Sequence, residues 1–65
     1  MPVIKQGSTG KAVKIWQIIV GGLTVDGKFG AKTATKTKEW QKKKGLTADG
    51  QVGTKTWAVG LKAVK

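Results

Sequence analysis

Apolar residues recur at helical spacing along three stretches of the chain, with polar, glycine-containing segments between them. In the first stretch Val13, Trp16 and Val20 share one face with Ile19 beside them, which predicts a helix over residues 8–20. Ser8 or Thr9 is placed to cap its amino end, and Gly21-Gly22 ends it. Val3 and Ile4, ahead of it, predict a short extended segment folded back over the core. A second helix is predicted over 31–44, stopped by Gly45 in a left-handed cap. Its pattern is unusually polar. Thr33, Ala34, Thr37, Trp40 and Gln41 fall on one side, and Lys32, Lys36, Lys38, Glu39, Lys42 and Lys43 on the other. The buried face of this helix is therefore expected to rest mostly on Trp40. A shorter third helix over 53–62 carries Trp57 and Leu61 at i and i+4, with Thr56 at its start. The pattern predicts an all-α fold, a small three-helix bundle forming a single domain over 1–65.

The two connections repeat each other. Gly22-Leu23-Thr24-Val25-Asp26-Gly27-Lys28-Phe29-Gly30-Ala31-Lys32-Thr33 returns as Gly45-Leu46-Thr47-Ala48-Asp49-Gly50-Gln51-Val52-Gly53-Thr54-Lys55-Thr56, with eight of twelve positions identical. Each copy follows a Trp-Gln pair, Trp16-Gln17 and Trp40-Gln41. Asp-Gly is a turn dipeptide, because the carboxylate accepts nearby backbone amides and glycine takes the positive φ that other residues resist. Phe29 and Val52 read as apolar plugs pointing into the bundle, and Thr33 and Thr56 as residues bonding back across each turn. Gln17 and Gln41 lie beside core positions, where they bond loop backbone or reach a ligand amide; the sequence leaves both readings open.

Charge and inventory narrow the chemistry. The 65 residues include thirteen lysines and no arginine, against only Asp26, Glu39 and Asp49, for a formal charge of +10. Such a field attracts polyanions: nucleic acid, anionic lipid surfaces or phosphate-rich envelope polymers. Exclusive use of lysine weighs mildly against base reading, which favours the arginine fork. With no histidine or cysteine, the chain offers no metal cluster, no disulfide and no activated nucleophile, and Ser8 has no base in its motif. Asp26 and Asp49 make a carboxylate pair on paper, but their matching contexts assign both to turns. No catalytic residue, cofactor or metal is expected. The tryptophans supply core bulk; stacking on sugar rings is the rival reading, strongest at Trp40. The longest apolar run, Ile18-Ile19-Val20, is far too short to span a membrane, and the opening residues lack the layout of a secretory signal.

Taken together, Gly7-Ser8-Thr9-Gly10, Val13, Trp16-Gln17, Asp26-Gly27-Lys28-Phe29-Gly30, Thr33, Trp40-Gln41, Gly45-Leu46, Asp49-Gly50-Gln51-Val52-Gly53 and Thr56-Trp57 follow one another in an order that resembles the peptidoglycan-binding-domain-like family. These are small three-helix wall-binding modules of bacterial and phage lytic enzymes. Trp16 stands where that family usually has leucine, and Lys36-Thr37 replace its usual Ala-Val pair. Its usual aromatic before the first loop is missing, leaving Leu23 and Val25.

The resemblance implies a non-catalytic module that binds peptidoglycan, holds a separate hydrolase domain against murein, and acts at the cell wall. It is expected to be a monomer, with lysines drawn to anionic wall polymers. The lack of a leader in this segment suits a phage-type lysin or an excised module. Candidate ligand contacts are Asp26, Lys28, Lys32, Thr33, Trp40 and Gln41, around the first loop and second helix. The rival readings are a small basic nucleic-acid-binding protein, and a structural domain without a ligand.

Overall fold

The computed structural model describes residues 2–63; the first residue and the last two of the expected domain lie outside them. Three helices form in order: α1 (Lys11–Val20), α2 (Ala31–Lys43) and α3 (Thr54–Ala63). The only extended pairings among the described residues are two isolated antiparallel bridges, Ile4 with Val52 and Thr9 with Lys28. The three-helix bundle read from the periodicity is the observed fold.

The first helix starts three residues later than its pattern predicts, and neither Ser8 nor Thr9 caps it. The backbone there is committed elsewhere. Gly7 N–H donates to the Phe29 carbonyl (2.8 Å), Phe29 N–H to that of Ser8 (2.9 Å), and Gly10 N–H to that of Gly27 (3.0 Å). Extended pairing with the first loop is incompatible with a helical turn, and the Ser8 hydroxyl accepts the Lys5 amide instead (3.0 Å). Upstream, Ile4 and Val52 exchange both backbone bonds, at 3.2 and 2.8 Å. The amino-terminal segment thus laces both loops together. Ile4 enters the core as expected, whereas Val3 points outward and is 61% exposed.

Each helix contributes one tryptophan to the centre. Trp16 is fully buried and meets Trp40 and Trp57 edge to face, with centroids at 4.9 and 5.6 Å. Ile4, Val13, Phe29 and Val52 close the core around them, so Phe29 and Val52 are the plugs their positions suggested. The buried indole N–H groups are both satisfied. That of Trp16 donates to the Thr37 hydroxyl (2.9 Å), and that of Trp57 to the Pro2 carbonyl (2.7 Å).

Two expectations about side chains fail. The buried face of α2 does not rest mostly on Trp40, which is only half-buried, but on Thr33, Thr37 and Gln41. A polar stripe is tolerated there because it is bonded: the Thr37 hydroxyl donates to the Thr33 carbonyl (2.6 Å) while accepting from Trp16. Leu61 is exposed, and Gly60 faces the core in its place. The Trp16 ring occupies the space, since a Cβ on Gly60 would lie 2.8 Å from Trp16 Cζ3. Gly60→Ala is therefore expected to destabilise the domain by about 1–3 kcal/mol in urea unfolding, against the gain of up to about 1 kcal/mol that helix propensity alone forecasts.

Candidate functional site

Each loop is built around one buried glutamine. Gln17, on α1, accepts the Gly27 amide at Oε1 (3.0 Å). Its Nε2 donates to the Lys28 carbonyl (2.9 Å), to Asp26 Oδ1 (3.1 Å) and, at longer range, to the Thr33 hydroxyl (3.3 Å). Gln41, on α2, does the same in the second copy: Oε1 accepts the Gly50 amide (3.0 Å), and Nε2 reaches the Gln51 carbonyl (2.7 Å), Asp49 Oδ1 (3.2 Å) and the Thr56 hydroxyl (3.3 Å). The partners fix which end of each carboxamide is which, because an N–H needs an acceptor and a carbonyl needs a donor. Of the two readings left open for these glutamines, loop bonding is the observed one.

The aspartates complete the turns. Asp26 Oδ1 accepts the Lys28 amide and Asp49 Oδ1 the Gln51 amide, both at 2.9 Å. Gly27 and Gly50 take positive φ of 76° and 75°, and each is roofed by a lysine stem. A Cβ on Gly27 would lie 3.2 Å from Lys14, and one on Gly50 3.1 Å from Lys38. Lys14 and Lys38 occupy the same place, two residues before Trp16 and Trp40. That repeat was visible in the sequence as Lys-x-Trp-Gln, but a lysine there reads as solvated surface until the loop is seen beneath it.

Outside this scaffold lies an open cleft of about 590 Å³, lined by Leu23, Thr24, Asp26, Lys28, Lys32 and Thr33 with the start of α2. It presents one carboxylate and two ammonium groups beside the first turn of a helix whose cap position, Gly30, supplies no side-chain bond. Four of the six candidate contacts come together here. Thr33 is buried and forms the floor, while Asp26, Lys28 and Lys32 are exposed. The structure places the other two elsewhere. Gln41 is fully buried in the second loop, and Trp40 borders a separate shallow depression with Val20, Lys36, Glu39 and Lys43.

Residues 9–59 match the peptidoglycan binding domain family, a span containing both glutamines, both loops and all three tryptophans. The chain belongs to this family of cell-wall binding modules. Among solved structures this peptidoglycan binding domain is similar to the SleB N-terminal domain (35% identity, TM-score 0.93, covering 98% of this chain and 94% of that one). A peptidoglycan-binding protein from Clostridioides difficile, solved in complex with glutamine hydroxamate, shares 41% identity at a TM-score of 0.85, covering 91% of this chain and 40% of that one. The Burkholderia AP3 phage endolysin shares 28% identity at 0.87, covering 91% of this chain and 24% of that one. A curated relative from Kitasatospora aureofaciens, "Uncharacterized protein in bpoA1 3'region", is 40% identical over 63 residues. The match takes in 88% of this chain and 53% of the relative, so the chain spans about half the relative's length.

The first loop adds to the domain's sensitivity to acid. The Lys28 amide, then the Gln17 carboxamide, holds the Asp26 carboxyl below its ordinary value of 3.8. A depressed carboxyl contributes stability above its unfolded-state value and loses it as pH falls through the folded one. The thermal midpoint should thus be flat above about pH 5 and fall below pH 4, with a shallower acid limb in Asp26→Asn, as differential scanning calorimetry would show. Gln41→Glu preserves shape but replaces the amino group with a second oxygen facing Asp49 and the Gln51 carbonyl. In urea unfolding at neutral pH it is expected to cost more than Gln41→Ala, itself about 3 kcal/mol because the buried Gly50 amide loses its acceptor.

Proposed function

We propose that this domain binds peptidoglycan through the first-loop cleft and serves as the non-catalytic targeting module of a cell-wall hydrolase. The observation that carries the reading is the charge arrangement in the cleft of a peptidoglycan binding domain. Lys28 and Lys32 stand beside a helix start, and the Asp26 carboxylate faces them with one oxygen already held by the loop. Stem peptides of murein carry free carboxylates alongside amide and amino groups, which is the complement of that arrangement. Asp26, Lys28 and Lys32 make the contacts in this proposal. Thr33 and Gln41 hold the two loops in shape, and Trp40 belongs to the core and its margin.

The accessory role draws support from the endolysin match, in which the similar region is 24% of the chain. Tethering a catalytic domain to its polymeric substrate raises the local concentration of enzyme without any chemistry in the tether. The exposed lysines of α2, including Lys36, Lys42 and Lys43, add long-range attraction toward an anionic envelope.

Purified sacculi stripped of teichoic acid provide the test, with duplex DNA as competitor across a salt series. The domain is expected to stay on sacculi at moderate salt. The double variant Lys28→Ala/Lys32→Ala should weaken retention by about tenfold or more, since charge-assisted bonds are each worth about 1.5–3 kcal/mol. Lys42→Ala/Lys43→Ala removes the same charge from α2 and should weaken retention only at low salt. Equal losses in the two double variants, or retention on DNA with none on sacculi, would overturn the proposal.

A further inference from the structure

The cleft at the first loop has a counterpart. On the other side of the repeat, a second open cleft of about 380 Å³ is lined by Leu46, Thr47, Asp49, Lys55 and Thr56. They stand at the same loop positions as Leu23, Thr24, Asp26, Lys32 and Thr33 in the first. The match extends to geometry. Asp49 takes the Gln51 amide and the Gln41 carboxamide on one oxygen, as Asp26 takes those of Lys28 and Gln17. The turn explains the aspartates, glycines and buried threonines. It does not explain Lys32 and Lys55, which are exposed and take no part in the bonds that hold either loop.

We infer that the second loop forms a second binding cleft, selecting stem peptides with fewer free carboxylates than those taken by the first; this rests on the function proposed above. The selectivity follows from what changes between the copies. Gln51 stands where the first cleft has Lys28, replacing a cation with a carboxamide that donates to and accepts from a neutral amide. Thr54 replaces Ala31, and the outward-pointing Val3 adds an apolar wall with no equivalent at the first loop. One ammonium group, Lys55, remains for a single carboxylate. An amidated or cross-linked stem therefore suits the second cleft, and a free acidic stem the first. Both clefts sit on a body no more than 26 Å across, so a murein mesh presenting many stems engages the domain twice and gains avidity without a second module.

An NMR titration of the isotope-labelled domain with a soluble muropeptide, and with the same muropeptide amidated at all but one of its stem carboxylates, tests this. The amides of Gly27, Lys28 and Lys32 and those of Gly50, Gln51 and Lys55 are expected to shift as two sets with separate midpoints. Amidation should weaken the first set about tenfold, the equivalent of about 1.4 kcal/mol, and the second much less. Lys55→Ala should abolish the second set and leave the first. Shifts confined to the first set through saturation overturn the second cleft while leaving the proposed function in place. Shifts in neither set overturn both.

Discussion

An Asp-Gly corner that turns a chain between two helices leaves inward-facing amides and carbonyls beneath it, and at Gly27 and Gly50 these are buried. A neutral group offering both donors and an acceptor is needed, and among side chains only a carboxamide supplies that without charge. Gln17 and Gln41 fill this role, each bonded to a glycine amide, a backbone carbonyl, an aspartate and a threonine. The geometry of both loops follows from these two positions. They fix where α2 and α3 begin, which way each aspartate faces, and the shape of each cleft outside.

The same constraint explains the polar second helix. Because its inner stripe of Thr33, Thr37 and Gln41 is bonded to its neighbours, it needs little apolar surface to stay docked. Apolar burial is concentrated in the Trp16 cluster and the residues that enclose it. Trp16 serves both systems, packing against Trp40 and Trp57 through its ring and against Thr37 through its N–H. In a chain without cysteine, this joining of polar and apolar cores replaces a disulfide staple.

Surface and interior divide the charges between them. Two of the three acids are held in turns, while the described lysines remain outside, some with their stems laid over loop glycines. This leaves a strongly basic exterior interrupted by two small clefts that each retain a carboxylate. Under the function proposed above, long-range attraction comes from lysines away from the clefts and local contact from the charged groups within them.

The number and order of helices, the twin turns and the plugs Phe29 and Val52 were all legible in the sequence. They depend on spacing, turn chemistry and repetition, which act over a few residues. The packing decided what those local rules could not. Ser8 and Thr9 look like caps until residues 28 and 29 arrive beside them to pair with the backbone. Leu61 looks buried until the Trp16 ring fills the space against Gly60. Gln17 was ambiguous for the same reason: its bonding partners lie 9 to 16 residues away, and only closure of the bundle brings them to one point. Six candidate contacts read as one site became a cleft, a buried hub and a half-buried ring, because neighbours in sequence on α2 point to different sides of it. Periodicity dictates which faces exist; the meeting of distant segments decides what each face touches.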